Sequence, residues 1–468
     1  MPSTLLPTLP TQVEVTWKGQ SPDTKKVAKS TISCKKCSKG NKVTVIFPDG
    51  EFTFHSQWLH DARCDDGASR NTVTAISTQS DETVRIDSAE MNTQDSMVTL
   101  DVTWSDGLSS KFPVEWLRVM APIVALQSNG NSAITTDAPT QGWTVESLNI
   151  PDVSYKELFD TETEPERMDT LMLAVLDHLL GASSTGLVKI VDLPDPNYED
   201  ELNHVNNLCT LILKKIFGSV FIHPTRGADK SFNVSSRSSE ADKRKELPNY
   251  DTSQVLLPHA DHAFYETPIQ VQGWYILEGE SENTFVSVLA ALQTLKEEHP
   301  ESYHHLCNDP MTLGRVSAFY GEAVSQMTVD TAVSMQPGTS DQFKRVRWHP
   351  NFIGSLLSPY EEYDEARLAQ KRFLEVMRRD THQLKVNLKP GDMFLWDNYR
   401  VLHGREKVFA VPRTGVGQTV PEQVVHDRYR ALCISMLSGF VGDQWLVHMP
   451  MPQLREMVKL VQEKRFLV

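Results

Sequence analysis

His259, Asp261 and His403 have the donor types that hold a divalent metal ion, and the first two are spaced to share one. In an extended segment, residues two apart point to the same side, so His259-Ala260-Asp261 offers one imidazole and one carboxylate to a single cation. A second imidazole from elsewhere would complete a facial triad, in which iron(II) keeps neighbouring positions open for a cosubstrate and O2. Alone, the pair is a weak signal. With 15 histidines in the chain, ordinary composition gives roughly one or two His-x-acid pairs by chance, and His299-Pro300-Glu301 is another.

Context strengthens it. The apolar run Val255-Leu-Leu-Pro258 leads into the pair, and Phe264 and Tyr265 follow it. His262 stands close enough to the pair to touch a substrate. Far downstream comes Lys389-Pro-Gly-Asp392-Met-Phe-Leu-Trp396-Asp-Asn-Tyr-Arg400-Val-Leu-His403-Gly-Arg405, in which a turn feeds one strand and His403 ends a second apolar run. A lone His403 would more often be a satisfied core or surface histidine. The whole string is much harder to obtain by chance.

These residues resemble the superfamily of Fe(II)/2-oxoglutarate-dependent oxygenases that includes γ-butyrobetaine hydroxylase and taurine dioxygenase. Asn398, Arg400, His403, Gly404 and Arg405 fit its Asn-x-Arg-x-x-His-Gly-Arg string. Phe54-His-Ser-Gln-Trp58 and Trp104-Ser-Asp-Gly107 look like the small N-terminal domain of the butyrobetaine and trimethyllysine hydroxylases. The resemblance implies Fe(II) on His259, Asp261 and His403, with 2-oxoglutarate and O2 as cosubstrates and ascorbate as reductant. It also implies an arginine that meets the distal carboxylate of 2-oxoglutarate from the start of a final strand. A bidentate guanidinium suits that carboxylate best. Arg430, opening Ala-Leu-Cys-Ile-Ser-Met-Leu-Ser-Gly439, is preferred over Arg428 for this place, and residues 408–425 then read as an inserted loop. Thr284 falls where the family's hydroxyl donor to the same carboxylate lies, although a plain strand threonine would look the same.

The implied activity is oxidation of an unactivated C–H bond, ending in hydroxylation, desaturation or a ring closure such as C–N bond formation. Butyrobetaine and trimethyllysine hydroxylases hold a quaternary ammonium in an aromatic cage by cation–π attraction. One cage tyrosine lies six residues after the cosubstrate arginine, which is Met436 here if Arg430 is the anchor. The expected substrate is therefore a small polar molecule, such as an amino acid, in specialised metabolism, with residues 235–245 as a polar lid. A carnitine-pathway hydroxylase and a non-catalytic jelly-roll binding protein are the alternatives. The relatives' N-terminal zinc is not expected, because only Cys64 remains of its cysteine cluster. An improvised site from Cys34, Cys37, Cys64 and His60 is the remaining route to one.

The elements that must position these residues follow from pattern. Alternating runs such as Lys42–Phe47 and Met97–Trp104, broken by turns at Pro48-Asp-Gly50 and Ser105-Asp-Gly107, make residues 1–140 a small β-rich domain. Helical spacing over 168–180, 201–217, 286–298 and 363–379 alternates with strand-like runs at 187–191, 271–277, 343–348, 384–388, 393–396 and 430–436. Residues 141–468 thus read as one α+β domain, and the resemblance gives it a double-stranded β-helix (jelly-roll) core with flanking helices. The chain has 468 residues, 46 basic and 61 acidic, so nucleic acid and anionic membrane are poor partners while a small anion needs only one or two local arginines. No apolar run is long enough to cross a bilayer and no leader pattern opens the chain. Six scattered cysteines suit a reducing, cytoplasmic compartment. A homodimer is compatible with all of this.

Overall fold

The computed structural model describes residues 12–15, 30–36, 40–47, 50–64, 84–94, 97–127, 138–202, 206–221, 231–236, 252–317, 324–337, 339–408 and 412–463. The chain divides into two compact units, one of residues 138–432 and one that joins 1–137 to 433–468.

The N-terminal unit carries strands β1 (Gln12–Val15), β2 (Ser30–Lys36), β3 (Lys42–Phe47), β4 (Gly50–His55), β5 (Ile86–Gln94), β6 (Met97–Trp104), β7 (Ser109–Pro113) and β8 (Leu126–Gln127). They form a five-stranded sheet, β1-β2-β3-β4-β8, and a three-stranded one, β5-β6-β7. The hairpins β3-β4 and β6-β7 are each followed by a helix, at Ser56–Asp61 and Val114–Val124. Residues 433–468, expected in the catalytic domain, group here instead. The reason is aromatic: Trp445 packs on Trp116 at 4.9 Å and on Phe112 at 5.5 Å between ring centroids.

The larger unit opens with β9 (Asp152–Ser154), β10 (Leu187–Val191) and β11 (Phe232–Ser235). Then come β12 (Leu256–His259), β13 (Ile269–Glu278) and β14 (Ser281–Ser287). An insert follows with β15 (Pro310–Ser317), β16 (Val324–Thr331), β17 (Val333–Met335), β18 (Phe343–Val346) and β19 (Ile353–Leu356). After it the chain returns as β20 (Gln383–Leu388), β21 (Met393–Asp397), β22 (Val401–Arg405) and β23 (Thr414–Pro421). One sheet has the order β11-β23-β13-β21-β10-β9 and the other β12-β22-β14-β20. Apart from β14 and β20, which pair across the insert, successive core strands step back and forth between the two sheets, which is the double-stranded β-helix the resemblance implied. Trp274, Phe394 and Trp396 of the first sheet share an apolar core with Phe285, Leu388 and Val401 of the second.

Local chemistry sets the element ends. The helix expected from Glu201 begins at Leu208, because Asn207 Oδ1 accepts from Thr210 N at 2.9 Å and the Glu201 carboxylate accepts from Leu208 N at 2.8 Å. β13 is buried along both faces because helix Leu208–Phe217 covers the second one. A Cβ on Gly273 would stand 3.0 Å from Cys209 Sγ. The strand expected at 430–436 is absent: Glu422–Leu437 is one helix, with Val425, Tyr429, Leu432, Cys433 and Leu437 buried at helical spacing. The loop expected over 408–425 contains β23. Among the described residues no helix is long and apolar enough to cross a membrane.

Candidate active site

The β12–β22 ladder sets His259 directly across from His403, so the two imidazoles arrive from neighbouring strands. Their ring centroids lie 4.2 Å apart. Asp261, just past the end of β12, completes the group. Its Oδ1 is 3.5 Å from His259 Nε2 and its Oδ2 is 3.6 Å from His403 Nε2. All three ligand atoms lie within 4.8 Å of one another, a separation one metal ion can bridge. His305, Asp309 and Glu362 are the other such trio among the described residues, and there Glu362 is exposed.

Each ligand is oriented from behind. His259 Nδ1 donates to the Leu257 carbonyl at 2.9 Å, which fixes the tautomer and leaves Nε2 as the metal-facing nitrogen. The Asp261 backbone is held in both directions by Asn398, whose Oδ1 accepts from Asp261 N and whose Nδ2 donates to Asp261 O, each at 3.0 Å. Gln272 Nε2 donates to Asp261 Oδ2 at 2.8 Å. Burial by itself would raise the Asp261 carboxyl, but hydrogen bonds and charge from His259 and His403 outweigh it and hold the group well below the usual carboxylate range. His403 is pushed down to about 4, first by burial and then by His259. The trio therefore stands as an ionised carboxylate and a neutral imidazole at His403, the state a metal takes.

The rest of the Asn-x-Arg-x-x-His-Gly-Arg string is structural. Arg400 pairs with Asp397 at 3.1 Å and donates to the carbonyls of Gly181 and Leu179, tying the end of helix Pro165–Leu180 to the ladder. Gly404 is there for closeness. A Cβ on it would lie 2.6 Å from Leu256 O and 2.7 Å from Thr284 Oγ1. Gly404→Ala is expected to cost about 1–3 kcal/mol by forcing the strands apart. Because His403 is the preceding residue, metal affinity should fall with the melting temperature; an unchanged affinity in a destabilised variant would detach the ladder from the site.

The strand expected after Arg430 is not there. Arg430 lies on the helix Glu422–Leu437 and opens no strand, so the reason for choosing it is gone, and Arg428 on the same helix donates to Ile216 O at 3.2 Å. The residue that does precede the final core strand is Arg413, ten residues after His403. It is almost fully buried, stacks over Trp274 at 5.2 Å and donates through Nε to Ser281 Oγ at 3.0 Å. Burial, then the nearby Arg405, pushes it down to about 9, and no carboxylate of the described residues offsets that. β23 escaped notice because its glycines mimic a loop. A Cβ on Gly415 would collide with the Trp274 ring, and one on Gly417 with Phe232. Thr284 pairs with Gly404 in the ladder, and its buried hydroxyl has no hydrogen-bond partner. It is Ser281, not Thr284, that hydrogen-bonds Arg413.

Three further side chains at the site were missed. His349, fully buried, packs on His259 with centroids 4.5 Å apart. Arg347 clamps the segment after Asp261, donating to the carbonyls of Ala263, Tyr265 and Glu266 while its Nε meets Asp330 at 2.7 Å. Phe221 stacks near His262 and Tyr265, both centroids at 5.6 Å. His262 itself adopts a left-handed backbone, φ 56°, rare for a residue with a side chain. The one sequence signal for the first two was the strand-like run 343–348, which contains Arg347 and is followed by His349. In the N-terminal unit, Cys34 donates to Ala89 O, Cys64 to Gln444 O, and His60 meets Asp106 at 2.9 Å. Cys37 and residues 237–251, most of the expected lid, lie outside the described residues.

Compared with known families, residues 204–417 match the profile described as taurine catabolism dioxygenase TauD, TfdA family. Those residues are thus similar to a TauD/TfdA-family dioxygenase domain. That similarity indicates Fe(II) and 2-oxoglutarate. Curated relatives include dioxygenase str8 of Strobilurus tenacellus, 25% identical across 77% of this chain and 78% of that one. γ-Butyrobetaine dioxygenase of Pseudomonas sp. (strain AK-1) is 24% identical, covering 78% and 86%. Mitochondrial trimethyllysine dioxygenase of Gallus gallus is 22% identical, covering 81% and 83%. The dioxygenase domain holds both His259-Ala-Asp261 and the string ending at Arg405, and Arg413 as well.

Proposed function

We propose that the protein is an Fe(II)- and 2-oxoglutarate-dependent oxygenase in which His259, Asp261 and His403 hold the metal and Arg413 anchors the cosubstrate. The observation that carries this is the pairing of a metal-ready trio with a buried, uncompensated cation in the same barrel. A lone buried charge is costly, and a dianion with one end on the metal and the other on Arg413 relieves that cost. Thr284, with its orphan hydroxyl, is the second donor offered to that carboxylate. Bound iron and 2-oxoglutarate together supply the oxidant for an unactivated C–H bond. The chain's own residues bind the dicarboxylate, keep the ligands oriented through Asn398 and Gln272, and exclude water with Trp396 and Phe285.

For the substrate we favour a small polar molecule such as an amino acid. Counting from Arg413, the family's cage tyrosine position becomes Thr419 rather than Met436, and it is still not aromatic. One observation supports the second reading, a butyrobetaine or trimethyllysine hydroxylase: Phe221, His262 and Tyr265 form a ring cluster beside Asp261, and two relatives bear those names. Succinate release decides. With iron(II), ascorbate and 2-oxoglutarate, a panel of amino acids should contain a compound that stimulates turnover, while γ-butyrobetaine and trimethyllysine should leave it at background. Efficient hydroxylation of either one would install the ring cluster as a cage. Absence of both succinate and 2-oxoglutarate binding would leave a non-catalytic protein.

A further inference from the structure

The insert between β14 and β20 sends one short segment, Val346–His349, along the back of the metal trio. Val346 N donates to Tyr399 O at 2.9 Å and Arg347 N to Ala332 O at 2.8 Å, so the segment is anchored on both sides. Trp348 O accepts from Ala260 N at 2.7 Å, which pins the residue lying between two of the ligands. His349 then turns inward. Its Nδ1 accepts from Asn351 N at 3.3 Å, placing the ring proton on Nε2, and its ring lies against Phe352 at 4.1 Å as well as His259 at 4.5 Å.

His259 thus packs against two imidazoles, His403 at 4.2 Å and His349 at 4.5 Å between ring centroids. Its hydrogen bond to Leu257 O fixes the tautomer but still allows the ring to pivot about that contact. A pivot would swing Nε2 away from Asp261 and His403, and it is resisted by the 3.5 Å approach to Asp261 Oδ1 and by packing against the neighbouring rings. We propose that His349 is a positioning residue of the metal centre, whose flat ring holds the His259 imidazole at the pitch in which Nε2 meets the other two ligands. His349 is not part of the trio itself. The inference rests on the metal assignment above and adds to it a residue supplied by the insert.

Mn(II) affinity of the full-length apo-protein tests this, read from the electron paramagnetic resonance signal of free Mn(II). Groups that orient a ligand typically carry about 10- to 100-fold in metal affinity, so His349→Ala should weaken Mn(II) binding by that factor. His349→Phe keeps a flat ring and should stay within about threefold of wild type on the same scale. His349→Gln serves if the alanine variant fails to fold. It keeps an acceptor for Asn351 N but no ring, and should show the same loss as alanine. A folded alanine or glutamine variant with wild-type affinity overturns the proposal, as does a phenylalanine variant as weak as alanine. Wild-type protein that binds no Mn(II) would instead overturn the metal assignment, so the two failures are distinguishable.

Discussion

Alanine at His259 or at His403 is expected to abolish both metal binding and 2-oxoglutarate turnover while leaving the chain folded. Each removes one of three ligand atoms that lie within 4.8 Å of one another, and two ligands do not retain a borderline divalent ion at micromolar concentration. Loss of metal affinity should exceed about 100-fold, beyond the range typical of groups that only orient a ligand. Stability should change little in the apo-protein, since each substitution also removes a polar ring that is poorly solvated without metal. For His403 that ring has a buried Nδ1 with no hydrogen-bond partner. His304 is the control: it sits on helix Pro300–Asn308, outside the trio, and its ring meets Asn308 at 3.1 Å, so His304→Ala should bind and turn over as wild type. Equilibrium dialysis with iron(II) and release of CO2 from labelled 2-oxoglutarate measure the two quantities. Near-normal metal content in either ligand variant would remove it from the site.

What made this trio legible in the sequence was locality. His259 and Asp261 are two apart, and the residues that orient His403 and Asp261 (Asn398 and Gly404) are within a few positions of His403 itself. Where the chemistry depends on distant neighbours, the pattern misled. Gly415 and Gly417 look like loop residues until Trp274 and Phe232, on adjacent strands, are seen to fill the space a side chain would need. With β23 read as a loop, the last strand had to be found further on, and Ala431–Leu437 supplied an apolar run dense enough to pass for one. Its buried positions recur at helical spacing instead. His349 and Arg347 show the same limit from another direction. Nothing near them in sequence says that an insert returns to the barrel, because their partners, His259 and the carbonyls of Ala263 to Glu266, are more than eighty residues away. Trp445 likewise belongs to the N-terminal unit because of Trp116 and Phe112, which no local pattern reveals.

The proposed cosubstrate arginine gives the sharpest test. Arg413→Ala should raise the dissociation constant for 2-oxoglutarate far more than Arg430→Ala does. Stranding a buried charge by removing its partner costs about 3–5 kcal/mol. That corresponds to roughly two to three and a half orders of magnitude in affinity, since about 1.4 kcal/mol is tenfold. The sign of the effect on the apo-protein is opposite to that of an ordinary buried arginine. Arg413 lies near Arg405 with no carboxylate of the described residues to offset it, so its removal relieves a repulsion and leaves Ser281 Oγ as the group that loses a donor. Apo stability should therefore hold or rise while cosubstrate binding collapses, and the stabilisation that saturating 2-oxoglutarate gives the wild type should vanish. Arg413→Lys keeps a charge but not the paired donors and should fall between the two. Arg430→Ala, on a helix that follows the core, should bind 2-oxoglutarate within about twofold of wild type, the range of surface substitutions away from special features. Titration of the metal-loaded protein with 2-oxoglutarate measures each constant directly. If Arg430→Ala collapses and Arg413→Ala does not, the carboxylate is anchored outside the barrel strands and the assignment of β23 as the cosubstrate strand is wrong.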